Sequence, residues 1–390
     1  MTLPRETCRA GQPTGQQPVS RIRPLHEKDL PTVARLFQTM LRKTSEPATR
    51  ELERYLGSVF LDGPDHDPEI VSHVHLREDE TVNGFIGVLA MPITVAGRNV
   101  RGAVCGTLMV EDHASDPFAG ARLMRGFLGG AQDISLTETA NDVSTTMWRK
   151  LRGTVLPDYS LEWVRIIRPA GFAAAVAGAA FGPARLLSPL SRPVDSLIRR
   201  RPSAWSHVAA AIPDGTATTA EANEDETVEL LVSLTESYAA KPAWQRASLA
   251  RRVAESRRKA NFGTRVRRKV LGRDGRTLGL FLYYGDAGGI GRAVQILFQP
   301  GQAGTVIDAM LADAAERGLV GLRGRSMPAL LEAMLGRRFF FLHASSSIVH
   351  ARDPSLLEPF VAGKAFFNGF AGESWSRLIG DRFDGPSRES

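Results

Sequence analysis

Cysteine is nearly missing from this 390-residue chain, with only Cys8 and Cys105 present. Two cysteines exclude a disulfide framework. Cys8 lies in a polar leader and Cys105 in an apolar run, so they do not make a natural pair, and a reducing cytoplasm is expected. The sequence has no CxxC pair and no HExxH, so no metal site is expected. It has no GxSxG to mark a serine nucleophile either. Long apolar runs are absent. The longest, AGFAAAVAGAAFG at 170–182, is shorter than the roughly 20 residues of a membrane span. It reads as a linker or packing helix, with peripheral membrane contact as the minor alternative. Residues 1–19 hold no apolar core and read as a disordered leader rather than a secretory signal.

Lysine is scarce as well, so arginine carries nearly all of the positive charge behind the formal +7. Genomic codon bias explains this first, and an anionic partner second. The densest basic run, residues 251–269, is where a nucleic acid would bind, and it stands as a third reading of function. A hydrophobic share of 43% and a charged share of 23% are those of a globular protein. At 390 residues the chain exceeds one typical core, so two domains are expected.

Residues 104–128, VCGTLMVEDHASDPFAGARLMRGFL, read as an apolar strand, a polar turn and an amphipathic helix. Such a unit aims backbone N–H groups and a helix dipole at one spot that suits a phosphate. Around it the first half gives a strand at 21–25, helices at 26–43 and 47–60, and strands at 70–76 and 82–91. After it come a strand at 133–139, a helix at 141–151 and a closing strand at 160–167. Residues 170–226 read as a linker with a helical start, including IRRRP at 198–202.

The second half repeats the order of the first. Helices at 226–238 and 242–259 precede a hairpin at 265–284, a strand at 293–298, a helix at 306–318, a strand at 320–323, a helix at 328–335 and a last strand or pair at 339–349. The glycines at 285–291 lie between two strands and read as a hairpin, not a dinucleotide fingerprint. SSSIVHARD at 345–353 sets His350 beside Arg352 and Asp353, a strand-end histidine or a polar site. Phe366, Phe367, Phe370 and Trp375 read as packing of a C-terminal segment.

This α/β order resembles the GNAT fold of acyl-CoA-dependent N-acyltransferases, present as two tandem copies with mixed sheets at about 20–169 and 227–380. Two stretches carry the resemblance. HASDPFAGARLMRGFL is similar to the family's Arg/Gln-x-x-Gly-x-Gly/Ala turn, with Ser115, Phe118 and Gly120 at the three marker positions. NDVSTTMWRKLRG is similar to its Asn-x-x-Ala-x-x-hydrophobic-Tyr-x-x-x-Gly segment, with Ser144 for Ala and Trp148 for Tyr. In the family that tyrosine often protonates the leaving thiolate. Trp148 offers only an indole N–H, which cannot do so near neutral pH.

The resemblance implies acetyl-CoA or another acyl-CoA as cofactor. The backbone of Leu108, Met109 and Val110 would hold its acyl end. Ser115, Phe118, Ala119, Gly120, Ala121 and Arg122 would face its pyrophosphate, with Asn141 and Ser144 beside it and Asn141 also capping its helix. Candidate bases are Glu111, Asp112 and His113 at the strand end and Glu138 on the next strand, although strand-end carboxylates commonly face water or cap a helix. The acceptor is a small-molecule, sugar or peptide amine. The competing reading is a catalytically inactive tandem protein that binds a metabolite or a partner protein.

Overall fold

A computed structural model describes residues 21–63, 65–112, 114–180 and 217–383. The leader, Cys8, His113 and the basic stretch 198–202 lie outside the described residues. The first half runs β1 (Arg21–Pro24), α1 (Leu30–Leu36), α2 (Arg50–Phe60), β2 (His73–Leu76), β3 (Val82–Val95), β4 (Arg98–Val110), α3 (Ala119–Leu128), β5 (Ile134–Ala140), α4 (Asp142–Lys150), β6 (Thr154–Val155) and β7 (Leu161–Ile166). The second half supplies β8 (Thr218–Glu221), β9 (Ala240–Pro242), β10 (Arg265–Leu271), β11 (Thr277–Tyr284), β12 (Ile290–Phe298), β13 (Gly321–Arg325), β14 (Phe340–His343) and β15 (Ser346–Ala351). Helices Glu224–Thr235, Arg246–Glu255, Ala303–Glu316 and Pro328–Met334 lie between them. The caps are local chemistry. The Thr49 side chain accepts from Leu52 N at the start of α2, and that of Asn141 accepts from Ser144 N at the start of α4.

Two mixed sheets result. The first takes β9, which pairs with β3, and β15 from the second half, and the second takes β7 from the first half. The first has the order β1-β2-β3-β4-β5-β15-β6, and the second β14-β7-β13-β12-β11-β10-β8. The strand expected to close the first unit, at 160–167, forms as β7 but pairs with β13 and β14 in the second sheet. In return β15 fills the place between β5 and β6, where Val349 lies opposite Leu136 on one side and Thr154 on the other. Particular contacts fix this exchange. Leu156 N donates to Ser347 O, and Ser347 N donates to Ser160 Oγ, each at 2.9 Å. Gly324 lets β13 approach β7, because a Cβ there would stand 2.7 Å from Trp163 Cζ2.

The first sheet is covered on both faces. Leu36, Phe60, Phe85, Leu89 and Met109 join α1 and α2 to one face, and that core runs on unbroken into the second half. Ile86, Val88, Val110, Leu123, Phe127 and Trp148 join α3 and α4 to the other. The alternation of Phe85 and Ile86 along β3 sends neighbours to opposite faces, as a strand requires.

A fragment of residues 20–169 is therefore expected not to fold alone. It leaves β5 an open edge where β15 belongs, and it strands Trp163. Circular dichroism should show no cooperative thermal transition for the fragment and one for the full chain.

Candidate active site

β4 and β5 run parallel but pair only over residues 102–104 with 134–136. Beyond this, β4 stays on β3 as far as Val110, and β5 stays on β15 as far as Ala140. The two strands therefore part like a V. The cause is a bulge. Gly87 faces Thr107 while Val88 faces Cys105, which leaves Gly106 as the extra residue of β4. A bulge bends its strand and ends pairing at that point.

The C-terminal segment enters this wedge. Glu138, buried on β5, accepts from Gly369 N at 3.3 Å, Glu373 N at 3.1 Å and Ser374 Oγ at 3.1 Å. Gly372 permits the contact, since a Cβ there would fall 2.2 Å from Glu138 Oε2. Glu373 then crosses the gap. Its Oε1 accepts from Thr139 Oγ1 on β5, and its Oε2 would lie 3.2 Å from a Cβ placed on Gly106 of β4.

Burial pushes the Glu373 carboxyl up to about 8, helped by the charge of Glu138 and opposed by the Thr139 hydrogen bond and by Arg325 and Lys259. Behind the segment, Lys259 Nζ donates to Ser376 O and Ile379 O, both at 2.6 Å. Burial, with Arg292 nearby, brings Lys259 down to about 7. An acid and a base are thus both poised near neutral pH around one segment.

A cavity of about 260 Å³ adjoins the wedge on the α1–α2 side. Its inner end is Gly106, Thr107, Thr139 and Glu373. Its walls are Phe37 and Leu41 on the π-helical turn that extends α1, Val59 and Phe60 on α2, Leu89 on β3, and Leu378 and Ile379. The second sheet has a matching divergence, with β12 and β13 paired only over residues 290–293 and 321–324. There the same C-terminal segment closes the gap. Gln295 Oε1 accepts from Phe370 N at 3.1 Å, and the space left is about 10 Å³.

The residues singled out from the sequence divide into several groups. Glu138 lies at the wedge, as an acceptor that anchors the C-terminal segment. Glu111 is ion-paired, accepting from Arg35 at 2.7 and 3.1 Å with Arg77 at 3.9 Å. The Arg35 hydrogen bond holds its carboxyl below the usual range. Met109 and Val110 are buried on opposite faces of β4, and Leu108 is half-buried. Ser115 Oγ donates to Asp112 O at 3.0 Å. Phe118 is 69% exposed. Ala119 and Gly120 are buried in the first turn of α3, Ala121 is half-buried, and a Cβ on Gly120 would sit 3.6 Å from Met147 Sδ of α4. Arg122 is occupied by Asp116 at 2.8 Å. Asp116 also accepts from Phe118 N at 3.2 Å, so a carboxylate already sits at the start of α3. Asn141 caps α4 through Ser144 N. Trp148 is buried edge-on against Phe127, at 5.9 Å, and packs in the α3–α4 core.

Glu373, Thr139, Gly106 and Lys259 are the residues that sequence reasoning passed over. One signal was available: a lone glutamate inside the aromatic segment FFNGFAGESW. The basic run at 251–269 is largely neutralised internally, by Arg252–Asp65 and Arg258–Glu51 at 2.7 Å, Arg257–Glu224 at 2.6 Å, and Lys269–Glu226. Among the described residues no group of His, Cys, Asp and Glu could hold a metal, and no helix is long and apolar enough to cross a membrane.

No protein-family model matches the sequence, and no curated protein sequence matches it significantly. Solved structures do match in fold. A probable N-acyltransferase of Enterococcus faecalis V583 aligns at a TM-score of 0.57 and 9% identity, over 87% of this chain and 74% of that one. A GCN5-related N-acetyltransferase from Anabaena variabilis aligns at 0.57 and 10% identity over the same shares. Another, from Kribbella flavida, aligns at 0.51 and 13% identity, over 87% and 73%. The chain has the tandem GNAT-like fold.

Glu373 raises a stability question with a definite sign. Its folded value, about 8, lies above its ordinary value of 4.5. Between those limits the native state keeps a proton that the unfolded chain has lost. Stability therefore falls as pH rises through the window, by roughly 1 kcal/mol per pH unit. Glu373→Gln keeps the Thr139 contact and removes the titration. At pH 8 its Tm should exceed that of the parent, by roughly 2–4 °C per kcal/mol recovered. The gap should close near pH 4.5.

Proposed function

We propose that the protein is an acyl-CoA-dependent N-acyltransferase that works at the β4–β5 wedge of its first sheet. The observation that carries this reading is a protonatable carboxyl, Glu373, held across a parted strand pair beside an open cavity. The second wedge is closed, which supports the first as the donor's site. The wedge fits a narrow arm: Gly106 leaves its β4 side without a side chain, and β4 and β5 leave ladder groups unpaired toward each other. The turn at α3 fits a diphosphate less well, because Asp116 fills it.

An acyl-CoA supplies an acyl group activated as a thioester. The backbone of Leu108, Met109 and Val110 lines the β4 side where that group would be oriented. Glu373 takes a proton from the acceptor's ammonium, and Thr139 fixes the carboxyl for that transfer. In the exchange the amine nitrogen gains the acyl carbon and the carbon–sulfur bond breaks. One ammonium proton passes through Glu373 to solvent and the second goes to the departing thiolate. Buried Trp148 cannot relay that proton, and Lys259 lies behind the segment, so it reaches the thiolate directly from the nitrogen or through solvent. Trp148 and Asp116 are also the observations that favour the second reading, an inactive protein that binds a metabolite.

Thiol release from acetyl-CoA with an amine panel separates the two. Glu373→Gln should lower kcat by about 10²–10⁴, the usual share of general-base catalysis, and remove the limb of the pH profile near 8. Equal rates in parent and variant, or no turnover in either, would contradict the enzymatic reading. Asp116→Asn should tighten CoA binding several-fold in calorimetry by freeing the α3 turn from a negative charge. An unchanged Kd would put the diphosphate elsewhere.

A further inference from the structure

The transferase reading leaves the acceptor open, but the cavity beside Glu373 has a definite chemistry. We propose that this cavity is the acceptor pocket. We further propose that it takes a compact apolar primary amine with a single positive charge, an arylalkylamine or a branched alkylamine of about ten non-hydrogen atoms. The proposal rests on the transferase reading of the same site.

Size comes first. An engineered apolar cavity of about 150 Å³ holds benzene, so the present 260 Å³ accommodates about ten heavy atoms. Polarity comes second. Phe37, Val59, Phe60, Leu89 and Leu378 offer no hydrogen-bond partner, and of the lining hydroxyls Thr139 is engaged by Glu373 and Ser376 by Tyr55 and Leu378 N, so sugar hydroxyls lying against the apolar wall would be buried unpaired. Charge comes third. Among the described residues Glu373 is the only carboxyl in the lining, and it sits at the inner end. One ammonium pairs with it.

A second positive charge meets Arg42, which also lines the cavity. Arg42 is held there by Arg382 O at 2.8 Å and by the rings of Phe37 and Phe383 at 5.1 and 5.0 Å. A second ammonium finds no second carboxyl among the described lining residues, so a monoamine is matched where a polycation is not. The acceptor, rather than the acyl chain, belongs here because the base must touch the ammonium it deprotonates.

The test measures thiol release from acetyl-CoA and from octanoyl-CoA. The acceptors are 2-phenylethylamine, 3-methylbutylamine, spermidine and an aminoglycoside. The parent is compared with Leu41→Trp, a substitution at a rim residue that is 48% exposed, so folding is not at risk, and with Leu378→Trp. The two monoamines should exceed both polycations at least tenfold in kcat/KM. Leu41→Trp should raise KM for 2-phenylethylamine at least tenfold and leave KM for acetyl-CoA unchanged.

Preference for spermidine or the aminoglycoside would overturn the proposal. So would a tryptophan variant that rejects octanoyl-CoA while amine KM stays constant, because the cavity would then hold the acyl chain. Failure of acetyl-CoA to bind in calorimetry would sink the transferase reading instead. The pocket is then judged by thermal shift with 2-phenylethylamine alone, which must raise Tm in the parent and not in Leu41→Trp. No shift in the parent would overturn it.

Discussion

Glu138 holds the candidate site together. One buried carboxylate accepts two backbone N–H groups and a serine hydroxyl from the C-terminal segment. Removing it would leave those donors buried without partners, at about 1–3 kcal/mol for each neutral group. The tie fixes Gly369 to Ser374 between the two sheets. It sets Phe370 N on Gln295 to fill the second wedge and Glu373 across the first. One segment therefore makes one half solid and leaves the other open, and the difference comes from side chains rather than from topology.

The arrangement is held at a thermodynamic cost, a pattern common at sites of chemistry. Glu373 is fully inside the protein beside another acid, and a glutamine of the same shape would avoid the penalty of its ionisation. Lys259 is similarly enclosed, with two carbonyls in place of a counter-ion. Structural ion pairs elsewhere in the chain look different. Arg35–Glu111, Arg101–Asp67 and Arg337–Asp308 are matched pairs toward the surface, where each contributes little. Strongly perturbed, unmatched groups beside a cavity mark a site.

Much of the fold was legible in the sequence because it is written locally. Periodicity gave most of the helices and strands of both halves, but not β6, β9 or β8, which lies in the stretch read as linker; GRDG gave the β10–β11 turn, and Asn141 announced its cap. The tandem order, and with it the likeness to N-acyltransferases, followed from those elements. The strand exchange was not legible. β7 and β15 are ordinary apolar strands, and their partners depend on contacts such as Trp163 over Gly324 that lie more than a hundred residues apart in sequence. Of the candidate site, the β4 and β5 positions were legible. Leu108 to Val110 and Glu138 stand at the wedge because motif position places them on β4 and β5. Glu373 escaped because it comes from the far end of the chain, inside a segment whose aromatic residues signal only packing.

The central claim is that the gap between β4 and β5 receives the acyl donor, with Glu373 beside it. A crystal structure of the protein with acetyl-CoA tests this most directly. Thioester density is expected between Gly106 and Thr139, within hydrogen-bond reach of the Glu373 carboxyl or of the amine bound to it. Density at the β12–β13 gap, or on the surface away from both wedges, would contradict it.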